Sequence, residues 1–280
     1  MNIASVIVID DDAFVRWEAG QSLALDILNG LIQAHRSGSK LSVDADYLET
    51  LGHLAVDSAI DPAFRAQLLT LPDEGYIGQQ QSTIHVDSIS AARRFLLERI
   101  AAHNASRFAK LYSSLSTDEP YDFHSAQVGA RSLKNLVLGY LCRTGEEEHL
   151  QSALRHIKSA HNMTDEVGGL SALIHKESAA REEGLHHFYQ KWHKETLVMN
   201  KWLHLQAISE VAGGLERIQR LMKDPVFNIN NPNKVSSLLL SFGRFNLEQF
   251  HALDGAAYRF FADLVLDIDT RNPSLSARAV

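Results

Sequence analysis

Apolar residues recur at steps of three and four along almost the whole chain, the spacing that gathers them on one face of an α-helix. Asp12 precedes the first such segment as a candidate N-cap, and Gly38 follows it as a candidate stop. The stripe of this segment comprises Phe14, Trp17, Ala24, Ile27, Leu28 and Leu31. The pattern therefore predicts a first helix whose stripe faces inward.

The same period predicts helices along the rest of the chain, with the six prolines falling in joints or first turns. One of them is a long helix after Asp87, with Ile89, Ala92, Phe95, Leu96, Ile100, Phe108 and Leu111 facing inward. The others are expected near 44–59, 61–71, 125–143, 146–160, 164–178, 181–194, 197–209, 212–223, 232–242, 245–251 and 256–269. The polar stretch 74–83 contains two glycines and three glutamines, and it is predicted to be a loop.

A segment rich in valine and isoleucine, Ile3–Ile9, is the one predicted strand, and an acidic run follows it. This start is similar to the first strand and acidic pocket of a response-regulator receiver, but that fold must alternate strands with helices. An incoming strand before an acidic helix start explains the segment better. The predicted fold class is all-α: antiparallel helices stacked in a superhelical array of the ARM/HEAT kind, with a short N-terminal strand.

Net charge, cysteine count and the length of apolar runs limit which partners and which cellular compartment the sequence suits. Thirty-four acidic against 27 basic residues give a net charge of -7, which argues against a nucleic-acid partner. The single cysteine, Cys142, excludes an internal disulfide and suits a reducing compartment. No apolar run approaches the ~20 residues that cross a bilayer, and no secretory signal is evident. We expect a cytoplasmic protein with no membrane partner.

Candidate chemistry is sparse. Zinc peptidase chemistry on a helix needs His-Glu-x-x-His, and the chain has no His-Glu dipeptide. The histidine pairs His149/His156 and His186/His193 are too widely spaced to chelate one ion, so satisfied surface histidines are the expected interpretation. Dinucleotide, phosphate-loop and nucleophile-elbow motifs are absent from the sequence. Aromatic residues around Trp192 and Trp202 are expected in the core. The residues predict no catalytic and no metal site.

Several segments, taken in order, resemble one family. They are Phe14–Leu23 (F-V-R-W-E-A-G-Q-S-L), Ile60–Ala63, Leu69–Pro72, Asn162–Asp165, Lys191–His193, Leu197–Trp202, Asn231–Lys234, Phe250–Phe260 and Arg271–Pro273. Together they resemble the C-terminal helical domain of bacterial-type M1 zinc aminopeptidases, the aminopeptidase N family. The resemblance covers residues 10–280, and residues 1–9 would be a remnant strand or leader.

This resemblance implies a non-catalytic domain that caps a catalytic domain in cis and forms the chamber through which peptide substrates pass. Zinc would belong to that catalytic domain, so no cofactor is expected in this chain. In the family, arginines of this domain line the chamber: one aligns with Arg278, whereas another aligns with Ser236, so that contact is lost or moved. The family domain continues past Arg271–Pro273, which predicts an incomplete C-terminal end with Phe260, Phe261, Leu264, Val265 and Ile268 uncovered.

A second interpretation of the same pattern is a free-standing helical-repeat scaffold that binds a protein or peptide, since stacked helices offer concave surfaces. The absence of a clean internal repeat argues against a regular solenoid.

Overall fold

The computed structural model describes residues 10–117 and 119–279. Within these residues the regular structure is helical throughout and contains no strand, as the periodicity predicts. The predicted strand Ile3–Ile9 lies outside them. The chain divides into two compact units, 1–173 and 174–280. Among the residues described, none of the helices combines the length and the apolar character needed to span a membrane.

The helices of the first unit are α1 (Ala13–Arg36), α2 (Ala45–Val56), α3 (Pro62–Leu68), α4 (Glu74–Gln79), α5 (Val86–Leu115), α6 (Ser125–Arg143), α7 (Glu147–Ser159) and α8 (Met163–Leu173). Those of the second unit are α9 (Ala179–Trp192), α10 (Thr196–Ala207), α11 (Gly214–Leu221), α12 (Pro232–Val235), α13 (Ser241–Phe245), α14 (Leu247–Phe250), α15 (Ala256–Asp269) and α16 (Pro273–Ala277). A π-helical turn, Ser236–Leu240, joins α12 to α13.

Local chemistry sets many of the helix ends. The Asp12 carboxylate accepts the backbone N–H groups of Phe14 and Val15, which satisfies two donors that α1 leaves unpaired. Asp61 caps α3 in the same way, with Pro62 at the first helical position. Gly38 follows α1 with a φ of +68°, a left-handed conformation that favours glycine. These ends confirm the predicted caps.

The first unit is built around the 30-residue helix α5. Its apolar face buries Leu96, Ile100 and Phe108 completely, and α1, α2 and α6 pack against it. The Phe108 ring lies 5.5 Å from the Tyr140 ring of α6. Tyr140 Oη in turn donates a 2.6 Å hydrogen bond to the Leu69 carbonyl, so a buried hydroxyl is satisfied while α6 is tied to the end of α3.

The second unit packs α9, α10 and the segment 232–245 around an aromatic core. Phe188 and Phe242 are fully buried, and Trp202 Nε1 donates a 3.1 Å hydrogen bond to the Leu185 carbonyl. Phe188 and Trp202 therefore belong to the core, as predicted, whereas Tyr189 and Trp192 are only half-buried. Asn246 Nδ2 donates to carbonyls at the end of α10, which fixes the segment 232–245 against that helix.

The predicted loop at 74–83 is wrong over its first half, which forms α4. The Asp73 carboxylate accepts the Tyr76 N–H at 2.8 Å, and Ile77 is fully buried. A good N-cap and one buried anchor outweigh the polar and glycine content of this segment.

The inward stripe of α1 is wrong at its beginning, because Phe14 is 64% and Trp17 is 37% exposed. The stripe is buried further along, where Leu28 and Leu31 meet α5. The predicted exposure of the apolar residues of α15 is also wrong for Phe261, Leu264 and Ile268, which are buried within the second unit. Phe260 and Val265 are half-buried. The helical period identifies which residues share a face, whereas the neighbouring elements decide which part of that face is covered.

Candidate functional site

A pocket of 280 Å³ lies in the second unit beside the segment 232–245. That segment supplies most of the wall, α10 supplies one side chain, and the C-cap of α16 supplies another. The lining residues are His204, Ser236, Ser237, Leu240, Ser241, Arg244, Phe245 and Arg278. Hydroxyl, imidazole and guanidinium groups thus surround a small apolar floor, a combination that suits a polar ligand with an apolar part.

The π-helical turn shapes this wall. Within it the Ser241 N–H reaches back to the Ser236 carbonyl, five residues earlier, and Ser241 Oγ donates to the same oxygen at 3.0 Å. The wide turn thereby stacks Ser236 and Ser241 on one side of the helix, where both line the pocket. π-helical turns inserted in α-helices occur frequently at functional sites.

His204 reaches the pocket from α10. Its Nδ1 lies 2.8 Å from Ser241 Oγ, and its ring packs edge-on against Phe245 with centroids 5.8 Å apart. Because the Ser241 hydroxyl donates its one proton to a carbonyl, it accepts from His204, which places the ring proton on Nδ1. Burial lowers the pKa of His204, and the charge of Lys201 lowers it further. The imidazole is therefore neutral at pH 7, with Nε2 as an acceptor.

Two arginines border the pocket from different elements. Arg244 lies on α13 and Arg278 is the C-cap of α16, and both side chains are exposed. Arg244 Nη2 lies 3.5 Å from the backbone carbonyl oxygen of Arg278. This long contact places the Arg244 guanidinium beside the backbone of Arg278. None of the described residues that line the pocket carries a carboxylate. The site is electropositive and fits an anionic group.

Arg278 and Ser236, the two positions that the family resemblance singled out, lie on this one pocket. The role of Arg278 in a substrate channel stays a prediction. Sequence reasoning missed Arg244 and His204, since neither stands in a motif and both are distant from Arg278 along the chain. The one signal in the sequence was that serine stands at position 236, where the family has arginine. An arginine elsewhere in the pocket could then take its place.

A second polar cluster is buried in the first unit around Asp165. Its carboxylate accepts from Lys134 Nζ at 3.0 Å, from Asn162 Nδ2 at 3.0 Å and from Asn135 Nδ2 at 3.1 Å. Burial acts to raise the pKa of Asp165, but the hydrogen bonds from Asn162 and Lys134 and the charge of Lys134 hold it below the usual value. These contacts tie α6 to the start of α8, a structural role.

His156 completes this cluster and is only 8% exposed. Its Nε2 lies 3.0 Å from Asn135 Oδ1, and its Nδ1 lies 3.1 Å from Tyr112 Oη. Burial, reinforced by the charge of Lys134 and opposed by Asp165, lowers the pKa of His156 to about 4. The prediction of surface histidines is therefore wrong here, and also at the buried His149. Both are enclosed by neighbouring helices that the sequence pattern does not reveal.

A set of side chains suited to a zinc ion is not found in the described part of the chain. Within residues 10–117 and 119–279, no three His, Cys, Asp or Glu side chains come close enough together to hold a metal. Cys142 is fully buried, and burial raises the pKa of its thiol to about 12, so the thiol stays protonated and unreactive near neutral pH.

Comparisons with known proteins show which family the chain belongs to. Residues 2–280 match a family model described as a domain of unknown function (DUF3458_C) with ARM repeats. The chain is 36% identical over 272 residues to aminopeptidase N of Caulobacter vibrioides, covering 97% of this chain and 31% of that protein. It is 34% identical over 270 residues to aminopeptidase N of Haemophilus influenzae, covering 96% and 31%.

A solved structure, Legionella pneumophila aminopeptidase A in complex with aspartic acid, superposes with a TM-score of 0.85. The match covers 99% of this chain and 33% of that one at 24% identity, so it shows the shared fold.

Fold and matches together define an all-α domain of stacked, ARM-like helices. The chain belongs to the DUF3458_C family, and its sequence corresponds to the C-terminal domain of aminopeptidase N. It spans about 31% of the length of the curated relatives that it matches.

Proposed function

We propose that this chain acts as the non-catalytic C-terminal domain of an M1 metallo-aminopeptidase. It would pack over the catalytic domain, its partner in cis, and close the active site into a chamber that peptides enter. The intact enzyme would remove N-terminal amino acids from peptides, with zinc held by the catalytic domain. The observation that carries this proposal is the match to aminopeptidase N over nearly the whole chain.

The chemistry of the described residues supports a role in access rather than in bond cleavage. The grouping of acidic, histidine and cysteine side chains that a zinc site needs is not found among residues 10–117 and 119–279. The pocket instead offers exposed guanidinium groups and hydroxyls. In this proposal Arg278 contacts a substrate peptide away from its scissile end, as the family resemblance implies.

The proposal is tested with a chimera. This chain replaces the matching third of the Caulobacter vibrioides aminopeptidase N, and release of N-terminal residues from short peptides is measured for the chimera and for this chain alone. We expect the chimera to be active and the isolated chain to release nothing from aminoacyl reporters.

Two outcomes would contradict the proposal. Chelator-sensitive release by the isolated chain, free of contaminating peptidase, would show a catalytic centre of its own. A chimera that folds, binds zinc and still lacks activity would contradict the capping role of this domain. It would favour the alternative, a free-standing scaffold that binds a protein or peptide. Circular dichroism and zinc content of the chimera separate that result from simple misfolding.

A further inference from the structure

We propose that the tip of the hairpin formed by α9 and α10, residues 191–201, is a docking surface for an acidic protein segment that carries an apolar side chain. This hairpin tip belongs to the second unit by itself, and its role is independent of the proposed peptidase chamber.

The hairpin tip is a short, ordered connection between two packed helices. α9 ends at Trp192 and α10 begins at Thr196, so three residues join them. The Glu195 N–H donates to the Trp192 carbonyl at 2.7 Å, and the His193 N–H donates to the Tyr189 carbonyl at 2.9 Å. The His193 ring also stacks on the Tyr189 ring, with centroids 5.7 Å apart. Because these contacts hold the connection in one conformation, a partner loses little free energy in ordering it.

Apolar side chains meet water at the hairpin tip. Leu197, in the first turn of α10, is 72% exposed, although Met199 two residues later is fully buried. Trp192 is half-buried, and the Lys191 ammonium group lies 5.0 Å from the centroid of its ring. A partner that covers Leu197 with an apolar side chain removes it from water, which is the main favourable term in most associations between proteins.

The hairpin tip is basic although the chain is acidic. Residues 191–201 contain three lysines and one glutamate, whereas the whole chain carries a net charge of -7. The lysines are Lys191, Lys194 and Lys201, and all three are exposed. Lys194 precedes Leu197 by three residues, and Lys201 follows it by one helical turn, so cationic groups flank Leu197 on both sides along the chain. This arrangement is complementary to a segment in which carboxylates flank an apolar residue.

The contrast between local and overall charge favours a protein segment over an anionic membrane, the other partner that lysines and an exposed leucine suit. A membrane is wider than the domain and meets the field of a chain whose net charge is -7, which opposes binding to anionic lipids. A short segment lies on the hairpin tip alone, and charges farther away than the screening length of about 8 Å at physiological salt act on it weakly.

The test uses three hexapeptides, each acetylated and amidated so that neither end is charged. The acidic probe contains two leucines between two pairs of glutamates. The neutral probe has glutamine in place of glutamate, and the polar probe has serine in place of leucine. Binding to the full chain is followed by NMR chemical-shift titration of the Trp192 indole N–H at fixed, low ionic strength. We expect the acidic probe to bind about threefold to tenfold more tightly than the neutral and polar probes, because exposed charge pairs are screened by solvent. Attraction set by the net charge of the chain would give the opposite order for the acidic and neutral probes.

Substitutions assign the preference to its residues. Lys194→Gln and Lys201→Gln should each lower the ratio of acidic to neutral affinity, and the double variant should bring that ratio toward one. Lys40→Gln, at an exposed lysine of the first unit, is the matched control and should leave the ratio unchanged. Leu197→Ser should weaken binding of the acidic probe by about threefold to tenfold, since it removes the apolar contact. Thermal melts verify that each variant is folded.

Equal binding of the acidic and neutral probes by the unmodified chain would overturn this inference, as would a preference that survives the double substitution. Vesicles of phosphatidylcholine and phosphatidylserine separate a membrane from a protein segment, and we expect the chain not to sediment with them. Sedimentation with the vesicles that Leu197→Ser abolishes would make the hairpin tip a membrane-binding surface instead. The chimera experiment does not depend on these results, so the proposed function would stand or fall separately.

Discussion

Protonation of His156 should destabilise the first unit as pH falls below neutrality. The imidazole is buried between Tyr112 and Asn135, and its folded-state pKa lies at about 4 against the usual 6.5. The unfolded chain therefore binds a proton on this residue at a pH where the folded protein does not. A depressed folded-state pKa contributes stability that is fully present above the unfolded value and is lost as pH falls from 6.5 toward 4.

The magnitude follows from that difference. Each pKa unit corresponds to about 1.4 kcal/mol, so the full loss below pH 4 is about 3 kcal/mol. Between pH 7 and pH 5 the two titration curves give a loss of about 2 kcal/mol from His156 alone. Because the side chain is 8% exposed, solvent screening removes little of this value.

Two measurements check the prediction. Urea unfolding at pH 7 and pH 5 gives the loss of stability for the unmodified chain and for His156→Gln, and the difference between the two losses isolates this residue. The control is His186→Gln, a substitution of an exposed histidine. Its loss of stability between pH 7 and pH 5 should equal that of the unmodified chain. An NMR titration of the ring Cε1–H of His156 reports the folded-state pKa directly.

A His156 ring that titrates near 6.5 in the folded protein would refute the reasoning. So would an unchanged pH dependence in His156→Gln, because the expected slope comes from the lowered pKa of this imidazole. Asp165 acts in the same sense at lower pH. Its depressed pKa contributes stability that is present above the usual carboxyl range and lost as pH falls through the folded value.

The remaining predictions concern packing and metal content. At Gly169 an added Cβ would lie 2.8 Å from Ile157 Cγ1 and 3.2 Å from the Ala153 carbonyl oxygen, so Gly169→Ala should lower the free energy of unfolding by about 1–3 kcal/mol. Gly30→Ala is the matched substitution on the exposed face of α1, where nothing lies within 4 Å, and it should raise that energy by about 0.5–1 kcal/mol. Effects of the same sign in urea unfolding would contradict this contrast. Elemental analysis of the dialysed chain should find less than one zinc per chain, and a stable one-to-one content would overturn that expectation.

The candidate site shows how far sequence reasoning reaches. Arg278 and the departure at Ser236 were found through family resemblance, and the structure places both on one pocket. Arg244 and His204 carry no motif, and their contribution depends on α10, α13 and α16 meeting in space. A pocket formed by elements far apart in the chain leaves no signal in the local spacing of any of them.

The helical elements and many of their ends follow from local features of the sequence. A helix is held by hydrogen bonds between residues four apart and by caps such as Asp12 and Asp61, so its information is local. The helix predicted at 256–269 coincides with α15 for the same reason. Which part of each apolar stripe is covered depends on packing between helices, which leaves Phe14 and Trp17 exposed and encloses His156. Burial and pKa depend on side chains brought from distant elements, and the period of one helix cannot specify what packs against it.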